Sequence, residues 1–374
     1  MRVEPTVPAA VLAAIRAPFE GAGAERADAP LLQPLNLLLD LAGEAMRARL
    51  FVVQSEGGAE SCLRPDFTVP IVRQHVDGGR AAGRYYYQGA AFRASTAADR
   101  PEEFVQVGLE MFSPNGPVEA ADAEIAALAW QAAAAGGRED LSLWLGDVAL
   151  FGAFVESLAL PETLAARLRR VAGRPRLLWA ELSRVGEAVS EGGGTLAGLL
   201  AGLSETQAAA LLEEVWALAG VEPVGGRGPA EIAARLVKKA EAAQAPALTE
   251  AQAAAIQAFM AIDDTPAAAF ARMAELAGRK ATALKAALAG WEARLADLAR
   301  TVPAERLRFT PALGHAFDYY DGITFEVRSA AVGPTLPVAV GGRYDGLLAR
   351  LGGGSGRAVG CMVRPWRAYA GAEA

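Results

Sequence analysis

Residues 63 to 112 carry polar side chains where an apolar pattern leaves little room for them. Two runs, 85–92 and 104–112, alternate with a period near two, which predicts antiparallel strands joined by a long loop rich in Ala, Asp and Arg. On and beside these runs stand Asp66, Thr68, Arg93, Gln106 and Glu110. Gln106 and Glu110 are an even number of residues apart and so share one strand face. A carboxylate buried there without a partner costs several kcal/mol. Their partner is either a polar small-molecule ligand or a structural network among the residues themselves.

A second group lies near the end of the chain, in HAFDYYDGITFEV at 315–327 and GGRYDGLLARLGG at 341–353. Taken singly, Asp321-Gly322 is a turn ahead of a strand, and Gly341-Gly342 a bend or a close backbone approach. If Tyr319 and Tyr320 are extended they point to opposite faces, one reaching a pocket while the other packs.

The rest of the chain must position these residues. Its 374 residues favour two domains or one large one, and 52% hydrophobic residues are ample for a core. The net charge of −7, with basic residues scattered, gives a nucleic-acid surface little support. Cys62 and Cys361 make no disulfide framework. With His75 and His315 as the only histidines, no zinc site is recognisable, and neither metal nor cofactor is expected. No basic-then-apolar leader opens the chain and no apolar stretch of about 18 residues interrupts it, which makes the cytoplasm the default.

In chain order, residues 1–30 read as a loosely attached leading segment with a short helix near 11–19. Leu35, Leu38, Leu39, Leu41 and Met46 suit a helix within 31–50, with Pro34 near its start, and a strand follows at 50–54. A helix over 117–135, stopped by Gly136 and Gly137, precedes a strand at 141–145. Residues 147–300 are Ala- and Leu-rich and predominantly helical. Ser204 with Gln207 and Thr249 with Gln252 fit capping boxes, 192–194 and 224–229 read as breaks, and a helix is expected over 230–242. Strands return at 307–311, 323–328, 337–340 and 359–363, so the class is α+β, a sheet interrupted by a helical block.

In this order, LRPDFT, YYYQGAAFR, EEFVQVGLE, FDYYDGITFE, VGGRYDGLLARLGG and AVGC resemble the catalytic core of the class II histidyl-tRNA synthetase family. The resemblance implies an antiparallel sheet flanked by helices, self-association through the region containing Pro34, and a histidine pocket followed by an ATP site. The core would comprise residues 1–146 and 301–374, with 147–300 as a helical insertion. The implied histidine-binding residues are Asp66, Thr68, Arg93, Gln106, Glu110, His315, Tyr319 and Tyr320. Asp66, Thr68 and Gln106 would receive the ammonium group. Glu110 and Tyr320 would hold the two imidazole nitrogens, and Arg93 would face the carboxylate or an α-phosphate.

The departures from that family carry equal weight. His315 stands where the family has an arginine, and loss of such a group typically costs about 3 to 4 kcal/mol of transition-state stabilisation. Ser95 replaces an acidic residue, and Arg364, Pro365, Trp366, Arg367 replace a glycine-rich ATP motif of which only Arg367 aligns. The chain ends at Ala374, just past this motif, which implies that no anticodon-binding domain follows. This combination is similar to the family of regulatory subunits of ATP phosphoribosyltransferase. The similarity implies a non-catalytic subunit with no catalytic residues of its own. It would assemble with a short-form catalytic subunit, in a hetero-octamer, and would pass histidine feedback to the first step of histidine biosynthesis. The runner-up is a truncated enzyme forming histidyl-adenylate for an acceptor other than tRNA, kept open by Arg93, Arg100 and Arg367. A third reading is an assembly scaffold with a vestigial pocket.

Overall fold

A computed structural model describes residues 1–42, 44–58, 60–98, 100–113, 117–171, 175–183, 205–219, 248–278, 281–313 and 319–372. Ser204, the expected breaks at 192–194 and 224–229, the expected helix over 230–242 and the candidate site residue His315 lie outside the described residues. By their internal contacts the residues form two compact units, one of Met1–Phe154 with Phe259–Ala374 and one of Val155–Ala258.

The first unit is built on strands β1 (Glu25–Arg26), β2 (Leu32–Pro34), β3 (Val52–Gln54), β4 (Glu60–Leu63), β5 (Gly83–Phe92), β6 (Glu103–Ser113), β7 (Leu141–Asp147), β8 (Leu307–Phe309), β9 (Ile323–Ser329), β10 (Ala339–Arg343) and β11 (Arg357–Val363). Eight form one sheet in the order β1-β5-β6-β11-β10-β9-β7-β8, and β2-β4-β3 form a small second sheet. The large sheet is antiparallel from β5 to β7, as its alternating sequences require. Its two edges, β1 on β5 and β8 on β7, are added in parallel. The register sets Tyr85 opposite Glu110 and Gly89 opposite Gln106 across β5 and β6, and Gly360 of β11 opposite Glu110.

Helices α1 (Ala9–Gly21), α2 (Leu35–Ala42), α3 (Thr68–Asp77) and α4 (Val118–Ala134) flank these sheets. α4 buries Ala123, Ala126, Ala129 and Ala133, small residues that let it lie close to β9, β10 and β11 and to the helix Thr282–Leu298. α2 and α3 contribute Leu35, Leu38, Val69, Ile71 and Val72 to one core with Tyr85, Tyr87, Tyr319 and Tyr344.

Two local expectations are corrected. Residues 1–30 are not loosely attached: Val3 bridges Glu103, the Glu4 amide donates to the Glu103 carbonyl at 2.8 Å, and Ile15 and Phe19 are fully buried. These partners are distant in sequence, so no local pattern announces them. The helix expected within 31–50 is divided into β2, α2 and a short 3-10 segment (Glu44–Arg49), and Pro34 ends an edge strand opposite Ser61. Proline, lacking an N–H, is tolerated on such an edge. Between β4 and the two strands of the central stretch lies α3, a helix not anticipated from the sequence although Val69, Val72 and Val76 stand at the i, i+3, i+7 spacing of one helix face.

Within the second unit, helices Glu162–Val171 and Pro175–Leu182 are linked by an Arg167–Glu181 ion pair of 2.9 Å. The expected capping box at Thr249 is formed: the Gln252 amide donates to Thr249 Oγ1 at 3.2 Å, and the Thr249 amide donates to Gln252 Oε1 at 3.0 Å.

Candidate functional site

The face of the large sheet carrying Gln106 and Glu110 meets the N-terminus of α3 and the turn at Tyr319. Together they enclose a cavity of about 260 Å³ lined by Asp66, Thr68, Arg93, Gln106, Tyr319 and Tyr320, among others. The fold thus brings into one cavity six of the residues marked from the sequence.

Asp66 is 5% exposed and Gln106 is 0% exposed, yet neither Asp66 oxygen and neither Gln106 amide atom has a hydrogen-bond partner. Buried polar groups in folded proteins are nearly always paired, and each one left unpaired costs about 1 to 3 kcal/mol. Asp66 lies just ahead of the first turn of α3, whose positive end favours an anion. Burial raises its pKa, opposed by the Arg93 charge and, outside hydrogen-bond geometry, by the Val69 and Thr68 amides. Arg93 is oriented by its Nε, which donates to the Pro65 carbonyl at 2.8 Å, and by the Phe104 ring 5.4 Å from its guanidinium carbon. A carboxylate, an amide carbonyl, a hydroxyl and a guanidinium line one cavity. That set complements an ammonium group and an anionic group carried by one small molecule.

Glu110 has a different place. It does not line the cavity but stands behind its wall, 1% exposed. Thr68 Oγ1 donates to Glu110 Oε1 at 2.8 Å, the Tyr87 hydroxyl approaches the same oxygen at 3.4 Å, and the Tyr344 hydroxyl donates to Oε2. Of the two partners open to Gln106 and Glu110, Glu110 therefore has a protein network and Gln106 has none. Burial outweighs the donors and pushes the Glu110 pKa up to about 8. Room for this network comes from two glycines: a Cβ on Gly360 would lie 1.6 Å from Glu110 Oε2, and one on Gly108 would lie 2.3 Å from the Tyr87 hydroxyl.

Tyr319 and Tyr320 do not point to opposite faces. The segment is a turn rather than a strand, both rings line the cavity, and their centroids are 4.8 Å apart. Asp321 explains the turn. Its carboxylate accepts the Asp345 amide at 3.1 Å and the Gly346 amide at 2.5 Å, and its own amide donates to the Arg343 carbonyl at 3.0 Å. The turn is thereby clamped to the segment carrying Tyr344.

Tyr87, Tyr344 and Arg49 were not singled out by sequence reasoning. Alternation along the Tyr85-Tyr86-Tyr87 run puts Tyr87 on the buried face, and Tyr344 sits inside the GGRYDG motif, so both left a signal. Arg49, at the end of a 3-10 segment, left none. Among the described residues no group of His, Cys, Asp and Glu is arranged to hold a metal ion, and no helix is long and apolar enough to cross a membrane.

Comparison with known proteins agrees with this architecture. The sequence profile of the histidyl-tRNA synthetase family matches residues 7–225 and 227–365. An ATP phosphoribosyltransferase regulatory subunit of Brucella anthropi is 33% identical over 349 residues, covering 91% of each chain. One of Mesorhizobium japonicum is 35% identical over 353 residues, covering 92% of each. Among solved structures, an ATP phosphoribosyltransferase regulatory subunit/histidyl-tRNA synthetase from Bacillus halodurans shares the fold, with a TM-score of 0.67 at 19% identity, over 100% of this chain and 83% of that one. A histidine–tRNA ligase subunit from Alicyclobacillus acidocaldarius does so with a TM-score of 0.58 at 21% identity, over 98% of this chain and 95% of that one. The chain belongs to the histidyl-tRNA synthetase family, within its branch of ATP phosphoribosyltransferase regulatory subunits.

Proposed function

We propose that the chain is the non-catalytic regulatory subunit of an ATP phosphoribosyltransferase and that L-histidine, bound in the cavity of Asp66 and Gln106, is its effector. One observation carries the reading: Asp66 and Gln106 are buried and unpartnered beside a guanidinium. The ammonium group of an α-amino acid satisfies the acceptors, and its carboxylate faces Arg93. The Glu110 network holds Thr68 and the wall behind them. Feedback then requires only that histidine bind the inhibited assembly more tightly than the active one, and a coupling of about 1 to 3 kcal/mol suffices.

The partner is a short-form catalytic subunit, in a hetero-octamer. Self-association through the small sheet is supported by exposed apolar residues there, Leu32 on β2 at 50% and Val52 and Val53 on β3 at 42% and 37%. Arg93, Arg100 and Arg367 line the same cavity, which is the observation favouring a truncated enzyme that forms histidyl-adenylate. The two readings separate in one experiment: purify the chain with and without the catalytic subunit, then assay phosphoribosyl transfer and its histidine sensitivity. Activity that needs this chain and is inhibited by histidine is expected. Histidine-dependent exchange of pyrophosphate into ATP by the isolated chain would favour the enzyme instead.

A further inference from the structure

The cavity of Asp66 and Gln106 has a neighbour. A second cavity of about 370 Å³ is lined by Arg2, Glu4, Arg138 and Trp366, and it shares Arg100, Leu336 and Arg367 with the first. Basic side chains therefore gather where the cavities meet: Arg49, Arg93 and Arg364 on one side, Arg2 and Arg138 on the other, Arg100 and Arg367 on both. Guanidinium groups grouped around open space attract phosphate.

Asp66 and Glu326 line the first cavity and Glu102 pairs with Arg2 at 3.3 Å, but a further acidic residue comes from an unexpected place. Glu4, on the leading segment, is buried with its carboxylate against Arg364 Nη2 at 2.5 Å, side chains 4% and 5% exposed. The segment is held there by its backbone: the Glu102 amide donates to the Arg2 carbonyl at 2.7 Å and the Glu4 amide to the Glu103 carbonyl at 2.8 Å. Arg364 is otherwise poorly served. It lies over the Phe104 ring, 3.6 Å from the centroid, and its buried Nε has no partner. Burial, helped by its other charged neighbours Arg367 and Arg93, lowers its pKa to about 9, and Glu4 opposes the shift. Arg367 feels the same opposition, with Glu4 the acid that counters Arg93 and Arg100.

We infer that Glu4 is a built-in counter-anion, held by the N-terminal strap at the junction of the two cavities, that closes the Arg364–Arg367 cluster to phosphate-bearing ligands. It is a specificity-determining residue: with its carboxylate in place the positive charge of the cluster is reduced from within and Arg364 is occupied, and the adjoining cavity is left to an amino acid. An ordinary structural ion pair would stabilise the strap without governing what binds. The inference deepens the reading of the chain as an amino-acid sensor but does not depend on which amino acid it senses.

The test compares the full-length parent with Glu4→Gln, nearly isosteric and uncharged, using inorganic tripolyphosphate at constant ionic strength in calorimetric titration. Tripolyphosphate is expected to bind Glu4→Gln at least tenfold more tightly than the parent, and the gain is expected to vanish in Glu4→Gln with Arg367→Gln. Histidine affinity, titrated in the same samples, is expected to stay within twofold. A folded Glu4→Gln chain with no gain overturns the inference. So does a parent whose thermal midpoint rises in tripolyphosphate relative to chloride of equal ionic strength, a measurement that needs no variant. Failure of the parent to bind histidine would strike the proposed function and leave the Glu4 result standing.

Discussion

Asp122 and Asp66 are both buried carboxylates of the first unit, and the protein meets them in opposite ways. Asp122, on α4, is 0% exposed and clasped by two arginines from distant parts of the chain. Arg343 Nε and Nη2 donate to its Oδ1 at 2.8 and 2.6 Å, and Arg294 Nε and Nη2 meet its Oδ2 at 2.8 Å each. Asp66 has no hydrogen bond at either oxygen. A complete buried ion network ties elements together, here α4, the helix Thr282–Leu298 and the end of β10. An incomplete one is a standing penalty of the kind the proposed ligand would relieve. The contrast locates the site better than either cluster alone, because both present the same residue types to a sequence reader.

Breaking the complete network should have the largest effect. Asp122→Ala leaves Arg294 and Arg343 buried without their counter-charge and is expected to cost about 3 to 5 kcal/mol in denaturant unfolding. A loss below 1 kcal/mol would remove the contrast.

The Glu110 network, complete but raised in pKa, gives a pH signature. A carboxyl whose folded pKa is about 8, against an unfolded value near 4.5, binds its proton more tightly when folded. Its stabilising contribution is therefore full below about pH 4.5 and is lost as pH rises towards 8, with a steepest slope of about 1.4 kcal/mol per pH unit. Glu110→Gln should flatten this share of the decline in thermal or urea unfolding between pH 5 and 8. A variant as steep as the parent would show that Glu110 titrates normally.

At the incomplete site the signs reverse. Asp66→Asn is expected to leave the ligand-free chain as stable as the parent or more so, while weakening histidine by about 100-fold, roughly 2.7 kcal/mol, in calorimetric titration. Gln106→Leu should behave alike with a loss near tenfold. If either variant lowered the unfolding free energy while the folded chain kept the parent's histidine affinity, the unpaired atoms would be structural. The smallest effect belongs to the second unit: Thr249→Ala removes a helix cap and should cost about 1 kcal/mol, read from unfolding, with histidine binding unchanged.

How far the sequence could be read depended on the range of the interaction. The period-two runs around Tyr87 and Gln106 became β5 and β6 because alternation is a local consequence of which face is buried. The Thr249–Gln252 cap formed as read because its two hydrogen bonds close within one turn. The ordered motifs from Leu63 to Cys361 were enough to indicate the family. Three-dimensional contacts alone decided that Tyr319 and Tyr320 share a cavity, since the Asp321 carboxylate binds amides from a segment that follows β10. They decided likewise that Glu110 stands behind the wall while Gln106 opens onto the cavity. Both residues lie on the same face of one strand, so alternation cannot distinguish them. The hydroxyls of Thr68, Tyr87 and Tyr344 converge on Glu110 and none reaches Gln106. Whether a buried polar group is satisfied is a property of its neighbours in space, and a linear pattern carries no record of them.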